Sequence, residues 1–291
     1  MQGHILRSSS PNPHKHSAGI NCIDDTSPFV LSVENLSVYR EAPLIRGIDW
    51  QVGHSEHWCI LGANGSGKTT LLGAITAYTP PTEGRIMVCG REYGKYDWRE
   101  LRKSVGLVSH RLHDSLESRM TALDVVAGGR DACLTMPRRR NAAVRRRALD
   151  MLRTIECQSV KQREWYKLSQ GEKQRILIGR ALMAKNALLI LDEPCAGLDP
   201  VGREYFLQFL NGLAQKKKSP VIILVTHHVE EIMPFITHVL VLKNGSVFLQ
   251  GKKENVMSSE NLSEAFGVKI HLVYRDSRYK LSVTGQVKTV M

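Results

Sequence analysis

Residues 62–69 read Gly62-Ala63-Asn64-Gly65-Ser66-Gly67-Lys68-Thr69 and fit G-x-x-x-x-G-K-[ST] at every fixed position. These residue types suit one task, the grip of phosphate. Glycines let the backbone close around phosphate oxygens. Successive N–H groups turn inward, and a helix that starts directly afterwards adds positive potential. Lys68 can bridge the β- and γ-phosphates, the Thr69 hydroxyl can bind Mg²⁺, and Thr70 is expected with them as a phosphate contact.

Such a loop needs a strand before it and a helix after it. Trp58, Cys59, Ile60 and Leu61 make a short apolar strand, and a helix is expected from Lys68 to about residue 77, stopped by Pro80-Pro81. Further strands are read at 29–33, 44–52, 86–88, 105–108, 188–191 and 221–225. Segments 239–242 and 247–250 flank Asn244-Gly245, a strong hairpin signal, and 270–274 and 279–283 flank Asp276-Ser277 in the same way. From about Met120 to Tyr166 the pattern turns helical, polar and basic, and another helix falls within 168–184. Strands alternating with helices predict an α/β fold with a mainly parallel sheet, an antiparallel β portion and an inserted helical lobe. The expected division is a flexible tail at 1–28, a main domain at 29–254 with its lobe at about 111–167, and an extension at 255–291 carrying a β-hairpin.

Composition sets the outer bounds. The 291 residues are 42% hydrophobic, enough for a sizeable core, yet no run approaches the roughly 18 apolar residues of a membrane span. No continuous apolar segment marks a secretory signal at the N-terminus. The first 23 residues lack Asp and Glu, which admits a transit peptide, but their Ser, Pro, His and Asn content favours a tail. The six cysteines form no C-x-x-C pair and suit buried thiols in a reducing compartment. The formal charge of +12 admits nucleic acid, a membrane surface or an anionic ligand. Its densest run, Arg138, Arg139, Arg140, then Arg145, Arg146, Arg147, reads first as a solvated helical face.

Four more segments complete a resemblance to the ABC ATPases over roughly residues 30–250. Leu168-Ser169-Gln170-Gly171-Glu172 resembles the signature LSGGQ, and the run ending Leu191-Asp192-Glu193-Pro194 resembles the Walker B strand and its following acid. Ala196-Gly197-Leu198-Asp199 resembles the D-loop, and Thr226-His227-His228 the switch-histidine segment. The resemblance implies a P-loop NTPase fold and an ATP-binding, ATP-hydrolysing transport subunit. Asp192 and Thr69 would hold Mg²⁺, Glu193 would act on the attacking water, and Lys68 and His227 would contact the γ-phosphate. Tyr39 would stack on adenine, while Ser169, the Gly171 backbone and Asp199 would serve ATP across a dimer interface. It further implies a second ATPase subunit, most simply a homodimer, a separate transmembrane permease, and a cytoplasmic place on the inner face of the membrane, with no nucleic acid expected. The alternative is a soluble non-transport ABC ATPase working on ribosomes or nucleic acid, or in assembly. A single copy of each motif and the lack of a long coiled-coil insertion weigh against it.

Two departures stand out. The signature carries Gln170 for a glycine and Glu172 for a glutamine, but keeps the serine and Gly171. His110 stands where the family usually has a glutamine that touches Mg²⁺. A neutral imidazole would accept from a metal-bound water, and a protonated one would repel the metal. The run 58–62, with Glu100-Leu101-Arg102-Lys103, also resembles the molybdate- and iron-system ATPases weakly.

Overall fold

The computed structural model describes residues 27–97, 104–131, 141–184 and 186–284, with the backbone alone for His110, Arg111 and Asp131. Most of the expected N-terminal tail (1–26), Arg138, Arg139 and Arg140 therefore lie outside the described residues.

The first layer is antiparallel. β1 (Phe29–Tyr39), β2 (Pro43–Gly53), β4 (Glu83–Val88) and β5 (Arg91–Glu92) lie in the order β2-β1-β4-β5. The second sheet contains β3 (Trp58–Leu61), β6 (Val105–Val108), β7 (Leu188–Asp192), β8 (Val221–Val225), β9 (His238–Lys243) and β10 (Ser246–Lys252), in the order β10-β9-β3-β8-β7-β6. Its strands pair in parallel except at the β10 edge, which runs antiparallel to β9. The described helices are α1 (Lys68–Ile75), α2 (His110–Asp114), α3 (Ala122–Gly128), α4 (Ala142–Thr154), α5 (Gln170–Leu182), α6 (Pro200–Ala214), α7 (Lys253–Val256) and α8 (Ser259–Phe266). A separate two-stranded hairpin, β11 (Ile270–Arg275) and β12 (Arg278–Val283), follows.

The apolar runs of the parallel strands reflect burial on both faces. In β7, Leu189 and Leu191 pack into one cluster with helical residues such as Val126, Leu152, Ile176 and Leu210. Leu188 and Ile190, pointing the other way, join a second cluster with Leu71 and Ile75 of α1 and with Ile45 and Trp50 of the antiparallel layer. Each such side chain, once buried, contributes about 1.5–3 kcal/mol against exposure. The described residues between 110 and 168 form α2, α3 and α4 with short 3₁₀ turns. The apolar residues Met120, Leu123 and Trp165 are continuous with the core on the helical side of the sheet.

The expected helix after the phosphate loop is shorter than its sequence suggested. α1 stops at Ile75, with Thr76 as its C-cap and Ala77 in the left-handed region at φ 55°, before Pro80-Pro81 is reached. The freed carbonyl of Gly73 accepts from the N–H groups of Tyr78 and Thr79 at 2.8 and 2.9 Å, closing the turn without proline.

Register matters most for the site. Ile60 of β3 and Asp192 of β7 both pair with Val225 of β8. The carboxyl ends of three adjacent central strands are therefore level, which is where ligands bind in open α/β sheets. Both hairpin turns have left-handed residues, Asn244 and Gly245 at φ 51° and 77°, and Asp276 and Ser277 at φ 52° and 61°.

Candidate active site

Residues 62–67 leave β3 and curl into α1. A side chain at Gly67 (φ 104°) would meet Ile45 Cγ2 of β2 at 2.7 Å, and one at Gly62 would meet the Leu242 carbonyl of β9 at 2.6 Å. The loop is thus wedged between the two sheets, and only glycine fits at its ends. Lys68 is buried beneath it, and its Nζ donates to the carbonyls of Gly62 and Ala63 at 2.8 and 3.0 Å. Burial pushes the Lys68 pKa down, while the charges of Glu193 and Asp192 pull it back up.

In front of the lysine lies a cleft of about 420 Å³ lined by Leu44, Asn64, Gly65, Gly67, Lys68, Thr69, Thr70, Asp192 and Glu193. Its size suits a small-molecule site. Leu44 was not singled out from sequence. It sits at the rim of the antiparallel layer, and only the approach of β2 to the loop brings it to the cleft. The Ser66 hydroxyl is buried and has no hydrogen-bond partner among the described residues. A cleft lined by loop glycines, a buried lysine and two carboxylates fits a nucleotide's phosphates with a cation. Among the described residues no three His, Cys, Asp or Glu side chains converge to hold a metal by themselves.

Asp192 ends β7, and the chain then turns sharply. Glu193 has φ 47°, a left-handed conformation that costs a non-glycine residue about 1–2 kcal/mol. Its N–H donates to the Val225 carbonyl at 2.9 Å, which anchors the turn to β8. The turn presents the carboxylate to His227, whose Nδ1 donates to Glu193 Oε1 at 3.1 Å. Residues 34 apart in sequence are thereby brought into one pair.

A second hollow of about 200 Å³ lies behind this pair, lined among others by Cys195, Thr226, His227 and Glu231. Thr226 Oγ1 donates to Glu231 Oε2 at 2.7 Å and accepts from the His228 N–H at 3.0 Å. Glu231, only 3% exposed, went unremarked in the sequence because nothing in its neighbours marks it as buried. Burial pushes its pKa up, against the Thr226 hydrogen bond and the charges of His228, Arg203 and His227, which lower it. A raised carboxyl pKa in the folded state costs stability above that pKa and nothing once the group is protonated in both states. Glu231→Gln, which keeps an acceptor for Thr226, should therefore melt higher than the native chain at pH 8. The gap should close as pH falls towards the ordinary glutamate value of about 4.3. Thermal melts across that range check this.

The remaining expected residues lie apart from the cleft. Ser169 N-caps α5, with its Oγ accepting from the Glu172 N–H while Glu172 Oε2 accepts from the Ser169 N–H at 2.8 Å. The glutamate that departs from the signature thus completes a capping box and also pairs with Arg163 at 3.1 Å. Asp199 caps α6 by accepting from Val201 and Gly202 N–H at 3.0 and 2.9 Å. A side-chain carbon added at Gly171 would lie 3.9 Å from Leu198, and one added at Gly197 would lie 3.9 Å from Gln170, so these two motifs are neighbours within one chain. Neither Ser169, Gly171 nor Asp199 lines the 420 Å³ cleft. Tyr39, 39% exposed at the end of β1, also lies outside the lining, and its N–H donates to Thr82 Oγ1 at 3.1 Å. His110 opens α2 directly after β6, and its side chain falls outside the described residues.

A phosphate loop on a central parallel strand, with acidic residues ending a strand two places along, defines a P-loop NTPase. Residues 45–196 match the family model for the ABC transporter. The uncharacterized ABC transporter ATP-binding protein YlmA of Bacillus subtilis is 38% identical over 252 residues, spanning 86% of this chain and 96% of its own. Among solved structures, cbiO1 of Clostridium perfringens, part of the ABC transporter complex cbiONQ, superposes with a TM-score of 0.70 at 28% identity, covering 82% of this chain and 94% of that one. A putative metal-chelate type ABC transporter in an inward-facing conformation gives 0.72 at 25% identity over 90% and 98% of the two chains. The chain belongs to the ABC transporter family and is an ATP-binding, ATP-hydrolysing subunit of a transport system. The soluble, non-transport alternative is not favoured by these relatives. Among the described residues no helix is long and apolar enough to cross a membrane.

Proposed function

We propose that two copies of this chain close on two ATP molecules, hydrolyse them and reopen, and that this cycle drives a separate permease. The observation that carries the proposal is the Glu193–His227 pair, 3.1 Å apart, with Glu193 on the wall of the cleft that Lys68 floors. When nucleotide enters, Lys68 exchanges its two carbonyl partners for the β- and γ-phosphates, and the loop N–H groups from 63 to 69 receive the phosphate oxygens. Mg²⁺ bound with the nucleotide would supply charge neutralisation, and Thr69 and Asp192, both on the wall of the cleft, would hold it. Glu193 orients the attacking water and takes its proton. His227 fixes that carboxylate and reaches the γ-phosphate. Tyr39 is the platform proposed for adenine, and His110 a weak contact to the metal's water.

The signature completes the site of the other copy. Ser169 Oγ accepts within its own helix cap and keeps its proton to donate, so the cap leaves it ready for a phosphate. With the Gly171 backbone and Asp199, it would close the partner's site. Ser169→Arg and Lys68→Met chains should each be almost inactive, yet a mixture of the two should regain turnover, because each heterodimer rebuilds one intact composite site. A mixture as inactive as its parts would remove the dimer reading.

The segment at about 111–167 is the proposed dock for the permease, which places the chain peripherally on the inner face of the membrane. The division into a tail at 1–28, a cassette at 29–254 and an extension at 255–291 goes with this reading. The relative from Clostridium perfringens, part of the complex cbiONQ, supports a membrane partner.

A further inference from the structure

The extension has a physical link to the hydrolytic centre. Arg278, the first residue of β12, lies under the turn that follows the switch histidine. Its Nε and Nη2 donate to the Glu230 carbonyl at 3.2 and 2.6 Å. Its Nη1 donates to both carboxylate oxygens of Glu204 on α6, at 3.0 and 2.9 Å. One planar guanidinium, 23% exposed, therefore ties two elements together. The first is the 3₁₀ turn Val229–Glu231, which continues from His227-His228. The second is the helix whose N-cap is Asp199 of the D-loop segment. Tyr279, next in sequence, is buried in the same apolar cluster as Val229 and Ile232, so the strand that carries the arginine is itself rooted.

The route from the arginine to the chemistry is short. The Glu230 carbonyl that it grips belongs to the turn that carries Glu231. The Glu231 carboxylate accepts from Thr226 Oγ1 at 2.7 Å, and Thr226 directly precedes His227. His227 in turn holds Glu193. We propose that Arg278 is a positioning residue for hydrolysis, and that the C-terminal hairpin is a brace holding the switch turn at a fixed distance from α6. The inference rests on the proposed role of His227 in turnover.

Arg278→Ala should lower kcat roughly five- to tenfold while leaving the KM for ATP within about twofold, because the phosphate loop and its lysine are untouched. Arg278→Lys, which retains a charge for Glu204 but not the planar fork, should recover part of the loss. Lys280→Ala, an exposed change on the same strand, should match the native chain and controls for damage to the hairpin. Should Arg278→Ala melt at a lower temperature yet turn over normally below its melt, Arg278 is merely structural and the proposal fails. An equal loss in Lys280→Ala also overturns it, since the effect then belongs to the hairpin's folding. His227→Ala separates the two readings. If it abolishes turnover while Arg278→Ala does not change kcat, only the brace is lost. If His227→Ala is fully active, the switch reading falls and takes the brace with it.

Discussion

Glu193→Gln should bind ATP with native affinity and hydrolyse it roughly a hundred- to ten-thousandfold more slowly, the range over which a positioned general base contributes. The substitution preserves shape. Glutamine suits the half-exposed turn, and its backbone N–H keeps the Val225 carbonyl at 2.9 Å. The left-handed φ of 47° is the same burden for both residues. The carboxylate's charge and its capacity to accept a proton are removed while the phosphate loop is untouched, so kcat and kcat/KM should fall together while nucleotide affinity stays. Steady-state phosphate release beside equilibrium binding of a fluorescent ATP analogue reads both. Closed dimers should also accumulate with MgATP, since hydrolysis no longer reopens them. Turnover near the native rate would take Glu193 out of the base role.

Lys68→Met attacks binding and chemistry at once. Losing one charged donor to the phosphates should weaken ATP affinity roughly ten- to a hundredfold, from the about 1.5–3 kcal/mol of a hydrogen bond to a charged group. Loss of the same charge where it would face the transferring phosphoryl group should cost a further hundredfold or so in kcat. The nucleotide-free protein, by contrast, need not be destabilised. Methionine fills much of the buried lysine stem, and removing the ammonium relieves the desolvation that depresses its pKa. The cost is two loop carbonyls, of Gly62 and Ala63, left without their Nζ donor. Isothermal titration with ATP, paired with a melt of the nucleotide-free chain, should therefore show lost affinity with little change in stability.

The parts of the fold legible in the sequence were those with a local cause. β7 and β8 announce themselves as unbroken apolar runs because both faces are covered, and the two hairpin turns because Asn244-Gly245 and Asp276-Ser277 tolerate left-handed backbone. The setting of the phosphate loop, between β3 and α1, is equally local. What the sequence hid depends on assembly. Leu44 reaches the cleft only because β2 lies against Gly67. Glu231 is a buried carboxylate in a segment whose charges look solvated, and Arg278 is one of 40 basic residues until the hairpin is placed against α6. Glu172 read as a departure from the signature, although Ser-x-x-Glu is also the pattern of a capping box, and the structure puts it to that use. α1 ends two residues short of the expected 77, because the left-handed Ala77 closes it before Pro80-Pro81.

The common register of Ile60, Val225 and Asp192 has a thermodynamic consequence. Unfolding the middle of the sheet destroys a ligand site built at the tips of three central strands, so occupancy and global unfolding are linked. At a hundred times the dissociation constant, that linkage amounts to about 2.7 kcal/mol, a sizeable share of the roughly 5–15 kcal/mol that keeps a typical domain folded. The energy charge of the cell would then set how long this subunit survives proteolysis as well as how fast it turns over.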